Sequence, residues 1–327
     1  MRKRFFLFAA IALSLIAGLA NSRADWPKRV FAPYMYVGSG DNFKLTDCDD
    51  QCGLKFYTLA FIIADKSGNP TWDGRIPMAE NFYTNQITAI RAHGGDVIMS
   101  FGGEAGNEIA VVETNVVTLE ANYQSILDRY HFTWLDFDIE GKNLGNVAAN
   151  ERRNAALVRL QTNNPGLIIS YTLPVDPSGL SRQSRALLTD AVKKGVKVHS
   201  ANLMVMYFGN EFTRKGKSEG QLGIDSANAA HAQVEKIDPA IQIGLCPCLG
   251  NNGSSSEVFG LEDAKTLEAF AAKTPWVCSL HYWSINDDAA RPRRRRAPAN
   301  PATNNVAAPT APQPWAFAKI FEAFTSR

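Results

Sequence analysis

Short apolar runs alternate with longer amphipathic segments along the chain from residue 30 onward. Eight of these runs are rich in Val, Ile, Phe and Tyr, which is typical of strands covered on both faces: 30–37, 55–63, 96–101, 132–139, 167–173, 201–208, 241–245 and 276–284. Helical spacing predicts helices at 149–162, 182–194, 227–237, 261–273 and 315–324. Eight strands that alternate with helices in one domain predict an α/β fold, a single-domain (β/α)8 TIM barrel over residues 25–327. A doubly wound open sheet is the alternative, although no glycine-rich phosphate loop follows the first strand.

The first 24 residues have the pattern of a signal peptide. Basic residues at positions 2–4 precede an apolar stretch at 5–20, and Ala24 completes a small-x-small cleavage site before Asp25. The apolar stretch is short for a membrane span, so an uncleaved anchor is the less favoured alternative. We therefore expect a mature protein that begins at about Asp25, has no stable membrane span, and is secreted or periplasmic.

Composition and charge exclude few functions. The 327 residues are 45% hydrophobic and 20% charged, with a formal net charge of +2, as in an ordinary globular protein. Lys and Arg are mostly scattered, so we expect no nucleic-acid partner. The exception is a basic run at 291–296 that leads into a Pro- and Ala-rich loop ending at 314. This run either contacts an anionic polymer or membrane surface or, as we favour, belongs to a solvated loop.

Five cysteines fit an exported protein without determining its fold. Cys48 and Cys52 lie in a polar segment where they could close a small disulfide, whereas Cys246 and Cys248 are too close for easy pairing. Cys278 is either a buried thiol or a partner of one of the others. No Cys or His pair has zinc-finger spacing, so we expect no metal.

Three carboxylates occupy alternate positions near the end of the fourth predicted strand. Because side chains alternate across a strand, Asp136, Asp138 and Glu140 share one face, and the apolar residues between them share the other. Carboxylates inside a barrel cost too much desolvation to serve packing, and their mutual repulsion should raise at least one pKa, which suits a general acid. Glu140 comes last, at the carboxyl-terminal mouth where barrel enzymes place their chemistry. The pattern therefore predicts an active site with Glu140 as the acid.

Residues 133–140 resemble the D-x-x-D-x-D-x-E signature of family 18 chitinases, which lies on the fourth barrel strand. Residues 100–103, Ser-Phe-Gly-Gly, resemble the S-x-G-G motif of that family. Residues 202–206 and 281–288 are similar to its sixth strand and to the end of its eighth. Residues 173–180 are similar to the turn after strand five in the bacterial chitinase D-type branch. The resemblance covers nearly the whole mature chain.

The resemblance implies a hydrolase that cleaves β-1,4-linked N-acetylglucosamine polymers such as chitin, with retention and with assistance from the substrate. Glu140 protonates the glycosidic oxygen while the sugar's own 2-acetamido group attacks the anomeric carbon, and Glu140 then acts as base toward water. Asp138 orients the acetamido N–H, and Asp136 shares a proton with Asp138. No metal or organic cofactor is implied. The residues expected to bind chitin or N-acetylglucosamine oligosaccharides are Trp283, as the floor of the reacting subsite, with Met204, Met206, Tyr207, Ser100, Gly102 and Gly103.

Two positions depart from the family pattern. The first aspartate of the signature is Thr133 here, and in strand six the tyrosine of the pattern M-D-Y-G falls on Phe208 and its aspartate on Tyr207. Simple alternation would point Phe208 inward, unless a local register shift presents Tyr207 to the sugar. Two alternatives stay open: a weakly catalytic or non-catalytic barrel that binds chitin-like glycans, and a hydrolase that acts on N-linked or peptidoglycan-type sugars.

Overall fold

The computed structural model describes residues 25–38, 44–213, 216–254, 257–289 and 313–325. The predicted signal peptide and the basic run at 291–296, with nearly all of the loop that follows it, lie outside the described residues. Within these ranges no helix is both long enough and apolar enough to cross a membrane.

The described residues form strands and helices that alternate along most of the chain. In chain order the strands are β1 (Val30–Phe31), β2 (Tyr34–Tyr36), β3 (Phe56–Ala64), β4 (Pro70–Trp72), β5 (Ile76–Pro77), β6 (Asp96–Gly102), β7 (Trp134–Asp138), β8 (Ile168–Asp176), β9 (Gly179–Leu180), β10 (Val198–Met204), β11 (Gln242–Cys246), β12 (Gly250–Asn251), β13 (Val258–Phe259) and β14 (Val277–Leu280). The helices are α1 (Leu45–Cys52), α2 (Thr84–Ala92), α3 (Ile109–Val112), α4 (Val116–Tyr130), α5 (Gly141–Leu144), α6 (Val147–Asn163), α7 (Arg182–Lys194), α8 (Asn210–Thr213), α9 (Glu219–Val234), α10 (Leu261–Lys273), α11 (Ile285–Ala289) and α12 (Ala316–Thr325).

Eight parallel strand positions close into a barrel, which confirms the predicted fold. Strands β3, β6, β7, β8, β10, β11 and β14 pair in parallel in that order, and β1 and β2 together fill the eighth position. The sheet closes on itself because β1 pairs with β14 and β2 pairs with β3. Pro33 separates the two short strands since it has no N–H for the ladder, while its carbonyl still accepts from Thr58 N at 2.9 Å.

Most predicted elements are present, with shifted ends. Helices α7 and α10 have the predicted bounds, whereas α9 begins at Glu219, well before the predicted start at 227, because the Ser218 hydroxyl caps its first turn. Strand β10 ends at Met204 and not at 208, because the chain turns there and Tyr207 has a left-handed φ of +51°. The short strands β4, β5, β9, β12 and β13 were not predicted; they belong to hairpins that follow the carboxyl ends of barrel strands.

An apolar plug fills the barrel at the amino-terminal ends of its strands. Val30, Phe56, Ile98 and Trp134 pack there as one buried cluster. Trp26 covers the plug, with its ring centroid 5.1 Å from that of Phe56 and 5.0 Å from that of Trp134. These contacts close the amino-terminal end of the barrel to water, so the polar groups of the interior face its carboxyl-terminal end.

Thr133, which stands where the family signature begins with aspartate, belongs to this lower end. Its hydroxyl oxygen accepts from Trp26 Nε1 at 2.9 Å. The departure at this position therefore affects how the bottom of the barrel is closed, below the carboxylates that lead to the mouth.

All five cysteines are free, so the disulfide considered between Cys48 and Cys52 is not formed. Both lie in α1 one turn apart, and the Cys52 thiol donates to the Cys48 carbonyl at 2.9 Å. Residues four apart on a helix have Cβ atoms about 5–6 Å apart, farther than the roughly 3.5–4.5 Å of a disulfide. Cys278 is a buried thiol, one of its two expected states.

Candidate active site

A cavity of about 640 Å³ opens at the carboxyl-terminal ends of the barrel strands. This is the end of the barrel at which the alternating carboxylates were expected to emerge. Its lining combines aromatic rings, aliphatic and sulfur-containing side chains, and carboxylates: Tyr34, Tyr36, Phe61, Ile63, Asp73, Gly102, Glu104, Ala105, Gly106, Asp138, Glu140, Thr172, Pro174, Val175, Met204, Met206, Tyr207, Cys246 and Trp283.

Asp136 lies beneath the cavity and does not line it. Its carboxylate is 1% exposed and accepts hydrogen bonds from donors on four strands. Oδ1 accepts from Ser170 Oγ at 2.7 Å, Thr172 Oγ1 at 2.9 Å and Asn202 Nδ2 at 3.2 Å, and Oδ2 accepts from Ser100 Oγ at 2.7 Å and Tyr34 OH at 2.9 Å. Burial raises the pKa of Asp136, and these hydroxyl donors lower it. Both oxygens of Asp136 thus accept hydrogen bonds from other strands, and its expected sharing of a proton with Asp138 stays a prediction.

Asp138 interacts with Glu140, the next carboxylate on the same face. Burial raises the pKa of Asp138 well above its usual range, and the charges of Glu140 and Asp136 and the hydrogen bond to Glu140 raise it further. The interaction with Asp138 in turn lowers the pKa of Glu140. Among the described residues the other oxygen, Asp138 Oδ1, is buried without a hydrogen-bond partner. That oxygen is available to a ligand, because Asp138 lines the cavity.

Glu140 follows the end of β7 and precedes the first turn of α5, with an extended φ of −140°. Burial raises the pKa of its carboxyl group, and the negative charge of Glu104 raises it further. Glu104 lies on the loop that connects β6 to α3. A raised pKa favours the protonated form of the carboxyl group, which a general acid requires.

The glycine pair after β6 shapes the site through its backbone. Gly102 has a φ of +105°, and a Cβ there would lie 2.2 Å from the Asp138 carbonyl oxygen. Gly103 N donates to that oxygen at 3.0 Å, and a Cβ on Gly103 would lie 2.6 Å from the Phe61 ring. Of the motif, only Gly102 lines the cavity, while Ser100 is buried and bonded to Asp136. Ser100 and Gly103 were expected to bind substrate, but they lie where they position other residues.

Trp283 forms part of an aromatic wall. Its ring is stacked on Phe61 at a centroid distance of 5.5 Å and an interplanar angle of 14°. Tyr34 and Tyr36 lie against the same indole at 6.0 and 5.8 Å, tilted. Trp283 is partly buried and lines the cavity, as the sequence predicted.

The structure decides the orientation of the residues after β10, which is the sixth strand of the barrel. Met204, Met206 and Tyr207 line the cavity, whereas Phe208 is buried in the hydrophobic core. The left-handed backbone at Tyr207 breaks the alternation, so its side chain, 58% exposed, is presented to the cleft. Its hydroxyl accepts from the Cys248 thiol at 3.8 Å. Simple alternation is therefore wrong at this point, and the register-shift alternative describes the arrangement.

Sequence reasoning missed several residues of the cavity. Tyr34 and Tyr36 alternate at the end of the first strand, as the three carboxylates do on the fourth, so the same argument could have found them. Phe61 lies where the pairing of β3 shifts register, and Asp73 and Glu104 lie in loops, so the alternation of a strand gives no signal for these three residues.

The structure is a closed parallel barrel with a row of carboxylates at the end of β7, its fourth barrel strand, and an aromatic wall above them. This arrangement is typical of (β/α)8-barrel enzymes that act on carbohydrates. No family model matches the sequence. The chain is 31% identical over 333 residues to the "Probable bifunctional chitinase/lysozyme" of Escherichia coli K12. The alignment covers 94% of this chain and 36% of that protein. It is 32% identical over 286 residues to endochitinase 11 of Metarhizium anisopliae, which covers 83% of the chain and 54% of that protein. The chain thus spans about a third and about half of the lengths of these curated relatives.

Solved structures agree with these relatives. The catalytic domain of a hyperthermophilic chitinase from Pyrococcus furiosus has a TM-score of 0.77 and 29% identity, covering 93% of this chain and 97% of that one. A family 18 chitinase from Chromobacterium violaceum shares the fold, with a TM-score of 0.53, 18% identity and 82% of each chain covered. The chain belongs to family 18 of the glycoside hydrolases, the chitinase family. Its place in the D-type branch stays a prediction.

Proposed function

We propose that the protein is an exported hydrolase that cleaves β-1,4-linked N-acetylglucosamine polymers such as chitin, with Glu140 as the proton donor. The observation that carries this proposal is that the carboxyl groups of Asp138 and Glu140 line one cavity together with Trp283. Aromatic faces pack on the apolar face of pyranose rings, which would bring a glycosidic oxygen above Glu140. A structure of the Pyrococcus furiosus chitinase mutants in complex with chito-oligosaccharides supports the same class of ligand.

The arrangement of the carboxylates supports a nucleophile that comes from the substrate. Retaining enzymes with two carboxylates hold them about 5–5.5 Å apart across the sugar, whereas Asp138 and Glu140 lie two residues apart at the end of one strand. In our proposal the 2-acetamido oxygen attacks the anomeric carbon, the bond to the leaving oxygen breaks, and Glu140 gives that oxygen its proton. Water then attacks the same carbon of the oxazolinium ion and loses a proton to Glu140, while the bond from that carbon to the acetamido oxygen breaks and the acetamido group is restored.

Asp138 would orient the acetamido group. Its oxygen Oδ1 is buried and unpartnered among the described residues, so it can accept the acetamido N–H. Asp136 would act from below: its charge raises the pKa of Asp138 and helps to keep the proton there. Both proposed roles rest on contacts within the barrel and need no metal or organic cofactor.

The first experiment measures hydrolysis of a fluorogenic N-acetylchitotriose conjugate by the protein from Asp25 onward, beside two variants. Glu140→Gln should abolish turnover and retain oligosaccharide binding, because it removes the proton and little volume. Glu151→Gln, an exposed position on α6 outside the cavity, should keep the parent rate. Unchanged activity of Glu140→Gln would contradict its role as acid. If the parent binds the oligosaccharide without cleaving it, the protein is a glycan-binding barrel.

Export is part of the proposal and has its own test. Trp26 packs against the lower end of the barrel, so cleavage before Asp25 would leave every barrel contact of Trp26 in place. Protein collected outside the cytoplasm should begin at Asp25 by amino-terminal sequencing. A first residue of Met1 would contradict the cleavage.

A further inference from the structure

The cavity is lined by acidic groups without basic ones. Asp73, Glu104, Asp138 and Glu140 line it, and no Lys, Arg or His is among the described residues of its lining. Asp73 is neutralised from outside the cavity, because Arg75 forms an ion pair with it. A chain of N-acetylglucosamine units is uncharged, so binding it does not require an excess of negative charge. The proposed reaction accounts for Asp138 and Glu140, so the charge that needs another reason is that of Glu104.

Glu104 is the uncompensated member of this set. It is exposed, and within the described part of the chain its carboxylate has neither a hydrogen bond nor an ion pair. Its loop is nevertheless held at both ends: Gly103 N donates to the Asp138 carbonyl at 3.0 Å, and Glu108 forms a buried ion pair with Arg153 at 2.8 Å. The loop therefore holds the charge at the wall of the cleft, where the exposed carboxylate of Glu104 is free to bind a ligand.

The loop that carries Glu104 runs beside the chain segment that follows Asp138. Gly103 N donates to the Asp138 carbonyl at 3.0 Å, and Asn143 Nδ2 donates to the Gly106 carbonyl at 2.9 Å, so Glu104 lies between an anchor at Asp138 and an anchor beyond Glu140. Its charge accordingly acts on Glu140. It also contributes, after Cys248 and burial, to raising the pKa of Tyr207 to about 12. Asp138 faces the acetamido group of the reacting sugar in the proposed reaction, so Glu104 lies toward the sugar that leaves with the protonated oxygen.

We propose that Glu104 is a specificity-determining residue that favours a glucosamine unit, with its cationic amine, in the subsite of the leaving sugar. The substrate class is then a partially N-deacetylated N-acetylglucosamine polymer. The inference rests on the proposed function, because the reacting sugar on the other side of the cut must keep its acetyl group to supply the nucleophile. The buried and unpartnered Asp138 Oδ1 in the same cavity marks where that acetylated sugar binds.

The test is product analysis of a chitosan of known, random acetylation after limited digestion, in weak acid where its amines are protonated. Each cut creates a new non-reducing end from the leaving-sugar subsite and a new reducing end from the reacting subsite. Mass spectrometry of both ends therefore reports the two preferences separately. The parent protein should give non-reducing ends enriched in glucosamine by roughly two- to fivefold over the random value, which corresponds to an exposed ion pair. Added salt should reduce the enrichment.

Glu104→Gln should return the non-reducing ends to the random ratio, while Glu151→Gln, the same change of charge outside the cavity, should retain the enrichment. Equal enrichment in the parent and in Glu104→Gln would overturn the role of Glu104. Random ends from the parent would overturn the substrate preference. Failure of the proposed function looks different: either no products form, or glucosamine occurs at new reducing ends in parent and variant alike.

Discussion

The close approach of β6 to β7 at the site makes Gly102→Ala an informative perturbation. A Cβ at this position would lie 2.2 Å from the Asp138 carbonyl oxygen. Carbon and oxygen in a close C–H···O contact stay about 3.3 Å apart, so the two strand ends would have to separate by about 1 Å. The residue also has a φ of +105°, which costs an L-residue about 1–2 kcal/mol. The backbone cost arises at the end of β6, whereas the steric contact acts on the end of β7, which carries Asp138.

The matched control is Gly195→Ala. Gly195 ends α7 with a φ of +95°, and a Cβ there would meet nothing within 4 Å. Both variants should therefore lose stability by the backbone cost, which corresponds to a fall in Tm of about 2–8 °C. Gly102→Ala alone should also lose about 10²-fold in kcat/KM, because a displacement near 1 Å of a group that orients the substrate has that effect.

The assay combines thermal unfolding with hydrolysis of the fluorogenic N-acetylchitotriose conjugate. A kcat/KM of Gly102→Ala within about threefold of the Gly195→Ala value would refute the reasoning. It would mean that the strand end relaxes around the added methyl group, or that the position of Asp138 does not limit the reaction.

Three further predictions concern charges. Glu104→Gln should move the high-pH limb of the pH–rate profile to lower pH. Glu140 must be protonated to act as acid, and in this variant burial alone raises its pKa. A limb at the parent's pH would contradict this. Arg153→Met should lower the free energy of unfolding in urea by about 3–5 kcal/mol, because it leaves the buried Glu108 without its partner; a loss below about 1 kcal/mol would contradict it. Burial lowers the pKa of His281 from 6.5 to about 4. Between these pH values the imidazole is therefore protonated in the unfolded chain and neutral in the folded chain. Stability should therefore fall as the pH drops from 6.5 to 4, by up to about 3 kcal/mol from this group, and His281→Gln should show a shallower fall.

Several features of the fold could be predicted from the sequence because they depend on local patterns. Apolar runs separated by amphipathic segments specify parallel strands covered by helices, whatever the rest of the chain does. The alternation along β7 likewise places Asp136, Asp138 and Glu140 on one face. Those two facts together predicted the barrel and the position of its site.

The partners of Asp136 depended on the closed barrel. Tyr34, Ser100, Ser170 and Asn202 come from strands far apart in the chain, and only closure of the sheet brings their donors to one carboxylate. The sequence placed Asp136 on the same face as Asp138, but it gave no sign of these donors, and the sharing of a proton between the two carboxyl groups stays a prediction.

The sequence by itself thus determined which residues lie on which face of each strand, since a period of two is a property of the extended backbone. Tertiary structure decided what those faces contact. A single left-handed residue at Tyr207 reversed the expected alternation, and the loop after β6 brought Glu104 to Glu140. Loops follow no period, so their side chains find their places only when the elements that they connect have packed.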